Sequence, residues 1–290
     1  MLFDTRTVLA GVALVSHAFA APLLEERASI DTSFWDPLQR AAQLSSAAYS
    51  GCTGTAFDVT ITKKLHDTLT DAQGYVGYSS EKKTIAVVMK GSTSSETHVT
   101  DIINDISTNL VTPSFSGVDF PSGVKIMSGI DRPWKAVHDD VISEVKSLIA
   151  KYPDYTLEAT GHSLGGSLTY ISHVALAQNF PEKQITSYAL AAFPIGNDAW
   201  ANFASSQAKG TMYRGNNIAD GVPNMYVGLP LNFKHYGTEI YSSGLRATTR
   251  KCDGQRDRAC SAGNGMYGVT AGHFQSFGIG MGVAGCSSIL

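Results

Sequence analysis

The stretch Thr160-Gly161-His162-Ser163-Leu164-Gly165-Gly166-Ser167 restricts the fold of this chain more than any other. Its centre reads G-x-S-x-G, the pattern of a serine held on a sharp turn between a strand and a helix. Glycines two residues before and two after the serine let strand and helix approach closely and tolerate the strained turn. With Gly and Ser each near a tenth of the residues, chance alone produces the pattern in roughly one such chain in four, so the flanks must decide. They agree with it. Residues 155–160 read as a short strand. Leu164, Leu168, Ile171, Val174 and Ala175 then recur at helical spacing as far as Asn179, where Phe180-Pro181 stops the helix.

The same periodicities organise the rest. A helix is expected over 33–50, with Ser33 as its cap and Phe34, Leu38, Ala41, Ala42, Ala48 and Tyr49 on the apolar side. Residues 59–64 and 74–79 read as strands. The apolar run 84–89 is that of a strand buried on both faces. Residues 93–110 have an amphipathic helical spacing in Val99, Ile102, Ile103, Ile106 and Leu110, and 111–123 are loop-like. Trp134, Val137, Val141, Val145, Leu148 and Ile149 mark a helix over 134–149 that ends at Tyr152-Pro153. Strands are expected at 185–191, 210–214 and 233–241, with a short helix at 199–208. Alternating strands and helices define an α/β protein with a mixed, mostly parallel sheet.

At its start, Arg6 precedes the apolar run 8–15, and Ala18-Phe19-Ala20 supplies a cleavage signature, so 1–20 reads as a secretion signal. That run is too short to span a bilayer. Residues 21–32 read as a short pro-segment or tail, and 33–290 as one catalytic domain. The 290 residues, 43% of them hydrophobic, suffice for one sizeable core. A net charge of −3 offers no electrostatic reason to bind nucleic acid. Four cysteines in a secreted chain imply two disulfides with three possible pairings. Cys252 and Cys260 lie close together in a polar loop, and Cys52 and Cys286 near the two ends, which favours Cys252–Cys260 and Cys52–Cys286. The long-range bridge contributes at most about 5 kcal/mol in the chain-entropy account. No Cys/His cluster has zinc spacing, and no cofactor or metal is expected.

A serine hydroxyl needs a base to take its proton, and the base needs an acceptor to fix its tautomer. On an elbow of this type the acid and then the base follow the serine in the chain. Three histidines do so. His173 lies on the elbow helix, His235 in an apparent strand, and His273 in a glycine-flanked loop, where a catalytic base is expected. Asp220, at the end of a strand in Asn217-Ile218-Ala219-Asp220-Gly221, suits the orienting acid. Asp198 reads as the cap of the helix after it. The oxyanion formed on an ester carbonyl would be held by the Leu164 N–H and by Ser92, in the loop after the 84–89 strand.

These motifs together resemble the secreted fungal class 3 lipases. Lys90-Gly91-Ser92 corresponds to their oxyanion strand end, and Phe193-Pro194-Ile195-Gly196-Asn197 to their Pro-Arg-Val-Gly-Asn. Asp220-Gly221-Val222-Pro223 matches their Asp-x-Val-Pro, and His235-Tyr236-Gly237-Thr238-Glu239 a non-catalytic His-x-Gly-x-Glu. His273-Phe274-Gln275-Ser276-Phe277 resembles their catalytic His segment. Lys90 and Ile195 stand where the family has Arg, and His98 where its lid often carries Trp. The resemblance implies an α/β-hydrolase fold with a helical lid over 93–110. It also implies a secreted serine esterase acting on lipid esters at an oil–water interface. Feruloyl or polyester substrates use the same triad, and a hydrolase fold that only binds a ligand is the rival from another class. Glu158, on a strand expected to be buried, has no explanation in the sequence.

Overall fold

The computed structural model describes residues 28–92, 106–207 and 209–287. In chain order its elements are Ser29–Ile30 (β1), Trp35–Ser50 (α1), Thr55–Ala56 (β2), Val59–His66 (β3), Gln73–Ser79 (β4) and Thr84–Met89 (β5). Leu110–Val111 (β6), Ile126–Met127 (β7), Ser128–Lys151 (α2), Thr156–His162 (β8), Leu164–Asn179 (α3) and Ile185–Leu190 (β9) follow. Asp198–Ser205 (α4), Gly210–Asn217 (β10), Thr238–Ser242 (β11), Arg250–Lys251 (β12), Gln275–Ser276 (β13) and Ile279–Gly280 (β14) complete them.

Ten strands form one mixed sheet in the order β1-β12-β11-β10-β9-β8-β5-β4-β3-β2. The middle five, β5, β8, β9, β10 and β11, run parallel. Antiparallel strands extend both edges. The apolar run in β5 is divided between two faces, as its composition requires. Ile85, Val87 and Met89 pack with Trp134, Val141 and Leu168 of α2 and α3, whereas Ala86 and Val88 pack with Leu44 and Ala47 of α1. The parallel strands thus carry helices on both sides, and their carboxyl ends converge on one rim. Ser163 stands at that rim.

Several boundaries depart from the periodicity. Asp31, not Ser33, is the cap at the start of the first helix: its Oδ1 accepts from Ser33 N at 3.1 Å and opens a 3-10 turn leading into α1. The 134–149 helix begins six residues earlier, at Ser128, with Ile130 fully buried and Pro133 inside it. Pro133 has no N–H to give the Gly129 carbonyl, and buried packing around Ile130 and Trp134 outweighs that loss. The strand expected over 233–241 is confined to β11. Gly237 takes φ 79° just before it, and the Phe233 N–H bonds back to the Tyr226 carbonyl at 2.8 Å in a turn. Of the expected lid, 93–105 lies outside the described residues, and Leu110 begins a strand instead of ending a helix. The secretion signal also lies outside them, whereas Ser29–Ile30 pairs with β12 at the sheet edge. Cys52 is joined to Cys286 and Cys252 to Cys260.

Glu158 finds its partner across the fold. Arg40 of α1 gives Nη1 to both Glu158 oxygens, at 2.6 and 2.8 Å, and its Nε and Nη2 to Asp58. Arg40, Glu158 and Asp58 border a cavity of about 710 Å³ at the opposite end of β8 from Ser163. Burial pushes the Glu158 carboxyl above its ordinary pKa, against the pull of Arg40. Removing one member of a buried pair strands the other, so Arg40→Ala is expected to cost about 3–5 kcal/mol at neutral pH. Without Arg40 the Glu158 pKa rises further in the folded state. A carboxyl raised on folding keeps its stability contribution below its unfolded pKa and loses it as pH climbs through the folded value. The deficit should therefore shrink in acid and grow toward neutrality, which urea melts from about pH 4 to pH 8 will read. A deficit independent of pH would remove Glu158 from the account.

Candidate active site

Ser163 occupies the residue between β8 and α3 with φ 61° and ψ −126°. This is a left-handed conformation for a non-glycine residue, worth about 1–3 kcal/mol of strain. The turn is pinned from both sides. A Cβ on Gly161 would lie 2.3 Å from the Gly165 carbonyl oxygen, and a Cβ on Gly165 would lie 2.3 Å from the Met89 carbonyl oxygen. The Ser163 N–H donates to the Leu190 carbonyl at 2.9 Å, which fixes the elbow to β9. Strand, turn and helix therefore fix the serine backbone at the rim of the sheet.

His273 meets it there. Its Nε2 lies 2.8 Å from Ser163 Oγ, and its Nδ1 lies 3.1 and 3.3 Å from the two oxygens of Asp220. All three residues are buried. A carboxylate only accepts, so the imidazole proton sits on Nδ1 and the bare Nε2 accepts from the serine hydroxyl. Asp220 Oδ1 accepts in addition from Val222 N at 3.0 Å.

The loops carrying the acid and the base are stitched together. Thr270 Oγ1 donates to the Ala219 carbonyl at 2.5 Å and accepts from Gly221 N at 3.1 Å. Gly272 N donates to the Ala219 carbonyl at 3.2 Å, and Gly221 and Gly268 form an isolated bridge. Asn264 Nδ2 donates to the carbonyls of both Asn217 and Asp220 at 2.9 Å.

Two donors flank the serine. Leu164 opens α3, so its N–H has no partner within the helix. Ser92 follows Gly91, whose missing side chain lets the backbone press against the elbow: a Cβ there would fall 2.6 Å from the His162 carbonyl oxygen. The buried Ser92 Oγ makes no hydrogen bond among the described residues. Lys90, where the resembling family has Arg, donates to Gln73 Oε1 at 2.9 Å. Ile195 is fully buried in the core.

The other candidates lie apart from this group. His235 has both nitrogens engaged, Nε2 at 2.8 Å from the Pro223 carbonyl and Nδ1 at 3.2 Å from Tyr170 Oη. His173 Nδ1 pairs with Ser187 Oγ at 2.8 Å, and burial lowers its pKa to about 4. Asp198 is not the cap of α4: Asn197 is, its Oδ1 accepting from Trp200 N at 3.0 Å. Glu239, Cys252 and Cys260 come together, but both sulfurs are consumed in a disulfide and the carboxylate is held by Arg214 and Ser261 N. No thiolate is left to bind a metal. Two residues at the site carry no motif of their own, Tyr49 and His162; the latter reads only as the variable position of the elbow pattern.

A buried serine, imidazole and carboxylate in line at the carboxyl rim of a mixed sheet define a serine ester hydrolase of the α/β-hydrolase fold. The family model for class 3 lipases matches residues 86–228. A secreted alkaline triacylglycerol lipase of Penicillium cyclopium is 64% identical over 286 residues, 99% of each chain. The chain belongs to the class 3 lipase family. A crystal structure of a triacylglycerol lipase from Penicillium expansum superposes with a TM-score of 0.87 at 65% identity, spanning 89% of this chain and 99% of that one. The Rhizomucor miehei lipase, in its propeptide complex, superposes with a TM-score of 0.76 at 25% identity, spanning 90% and 84%.

Proposed function

We propose that this is a secreted lipase that hydrolyses acylglycerol esters, triacylglycerols among them, through an acyl-enzyme on Ser163. The alignment of Ser163 Oγ, His273 and Asp220 at hydrogen-bond distances carries the reading. Ser163 Oγ attacks the ester carbonyl carbon while His273 Nε2 takes its proton. The oxyanion is held by the Leu164 N–H and by Ser92, each such donor being worth about 10²–10³ in rate. Collapse of the tetrahedral intermediate expels the glyceride alcohol, which receives the proton from His273. Water then enters, gives a proton to His273, and attacks the acyl carbon; the fatty acid leaves and Ser163 regains its hydrogen. Asp220 holds the imidazole in the required tautomer throughout. The Penicillium relatives, named for triacylglycerol, support that substrate over feruloyl esters. Purified protein should turn over emulsified triacylglycerol in preference to a soluble feruloyl ester; the reverse preference would transfer the assignment to the feruloyl class.

Exposed apolar side chains support work at a lipid surface. Leu229 is 90% exposed in the loop that follows the Asp220 turn, closed by Asn232 N on the Gly228 carbonyl. Tyr267 is 67% exposed beside Gly221. Burying one leucine yields about 1.5–3 kcal/mol, so Leu229→Asp should weaken binding to an oil emulsion about tenfold or more. Its turnover of a soluble short-chain ester should match the parent. Equal turnover on emulsion would exclude this loop from the lipid contact.

A further inference from the structure

His162 and Tyr49 form a hydrogen-bonded pair that reaches His273 and the Gly91 backbone beside Ser92, and belongs to none of the site's assigned roles. The His162 ring lies beside the His273 ring, centroids 4.6 Å apart. Its Nε2 is 2.8 Å from the His273 backbone carbonyl and its Nδ1 is 3.0 Å from Tyr49 Oη. A carbonyl only accepts, so the His162 proton sits on Nε2 and the bare Nδ1 accepts from the tyrosine hydroxyl. Burial, and then the neighbouring His273, holds the His162 pKa well below its ordinary value, which keeps the ring in this neutral form. Tyr49 Oη also packs against the Gly91 backbone, so closely that a Cβ on Gly91 would fall 1.9 Å away.

The pair therefore reaches from the residue before Ser92, through α1, to the residue before Ser163, and on to the backbone of His273. Its two ends differ in rigidity. His162 closes β8 inside the parallel sheet, with Leu190 as its register partner. His273 sits in a four-residue 3-10 turn, Ala271–Phe274, which lacks a long element to hold it. We infer that His162 and Tyr49 are positioning residues: they fix the backbone of His273, and with it the imidazole, at the reach of Ser163, and they tie the Ser92 loop to the same frame. This rests on the roles proposed above for Ser163, His273 and Ser92.

Asparagine and glutamine separate the two ends of the histidine. His162→Asn keeps an acceptor near the Nδ1 position for Tyr49 but is too short to reach the His273 carbonyl. His162→Gln restores an N–H near the Nε2 position. A misplacement of about 1 Å at a reacting group costs about 100-fold, so His162→Asn should lower kcat on a soluble short-chain ester about 10- to 100-fold with KM nearly unchanged. His162→Gln should recover most of that loss, and the rate of Ser163 labelling by a phosphonate should follow kcat in both. Tyr49→Phe deletes one oxygen and keeps the ring, and should lower kcat severalfold at an unchanged melting temperature. A His162→Asn or Tyr49→Phe variant with kcat within about twofold of the parent overturns the proposal, as do equal losses in the Asn and Gln variants. Ser163→Ala is the control: if it abolishes turnover while His162→Asn does not, the positioning role fails and the triad reading stands.

Discussion

Ser163→Ala is expected to lower ester turnover about 10⁵- to 10⁶-fold while leaving the protein folded. The size follows from the role: without Oγ no acyl-enzyme forms, and the remaining rate is what the oxyanion donors and substrate binding supply to water alone. The fold should survive because the serine side chain makes no capping bond to α3. Alanine meets the same left-handed strain that serine already bears. Melting temperature and emulsion binding should both match the parent. A variant that retains a tenth of the parental turnover would remove Ser163 as nucleophile.

Asp220→Asn should lower kcat about 10⁴-fold, with little change in KM. The loss comes from a proton in the wrong place. Asp220 Oδ1 accepts from Val222 N as well as facing His273. An asparagine keeps its oxygen on the Val222 N–H and so presents its NH₂ to the imidazole. The Nδ1 atom must then accept, the proton moves to Nε2, and Ser163 Oγ faces a donor that has no capacity to take its hydrogen. The volume is unchanged, so the effect separates proton placement from packing. Stopped assays at saturating short-chain ester, with Ser163 titrated by phosphonate to count active sites, measure it. A loss under tenfold would mean that another group orients the imidazole.

Much of the architecture is legible in the chain because it is local. The run at β5 states that both faces are covered, and the glycines around Ser163 state that two backbones nearly touch. The order serine, aspartate, histidine identifies which residues to ask about. What stays hidden is contact at a distance. Nothing near Glu158 announces Arg40, 118 residues earlier in the chain, and nothing near His162 announces Tyr49. Caps err by one or two places, Asp31 for Ser33 and Asn197 for Asp198, because adjacent polar residues offer the same chemistry and only the backbone angle chooses. The strand expected before β11 fails because Phe233, His235 and Tyr236 are buried without the alternation of a strand, in an irregular segment that ends at Gly237.

The bonds from Thr270, Gly272 and Asn264 to the Ala219–Asp220 turn make the acid and base loops a single preassembled cassette. Distortion elsewhere in the molecule shifts both loops in concert, so the carboxylate–imidazole spacing is insulated from it. Wear falls instead on the seam between that cassette and the serine elbow, which the Ser163–His273 contact and the bond from His162 to the His273 carbonyl span, each at 2.8 Å. Heat or solvent should therefore silence the enzyme by widening this seam before the sheet melts, and a cross-link across it would extend the working range without touching the chemistry.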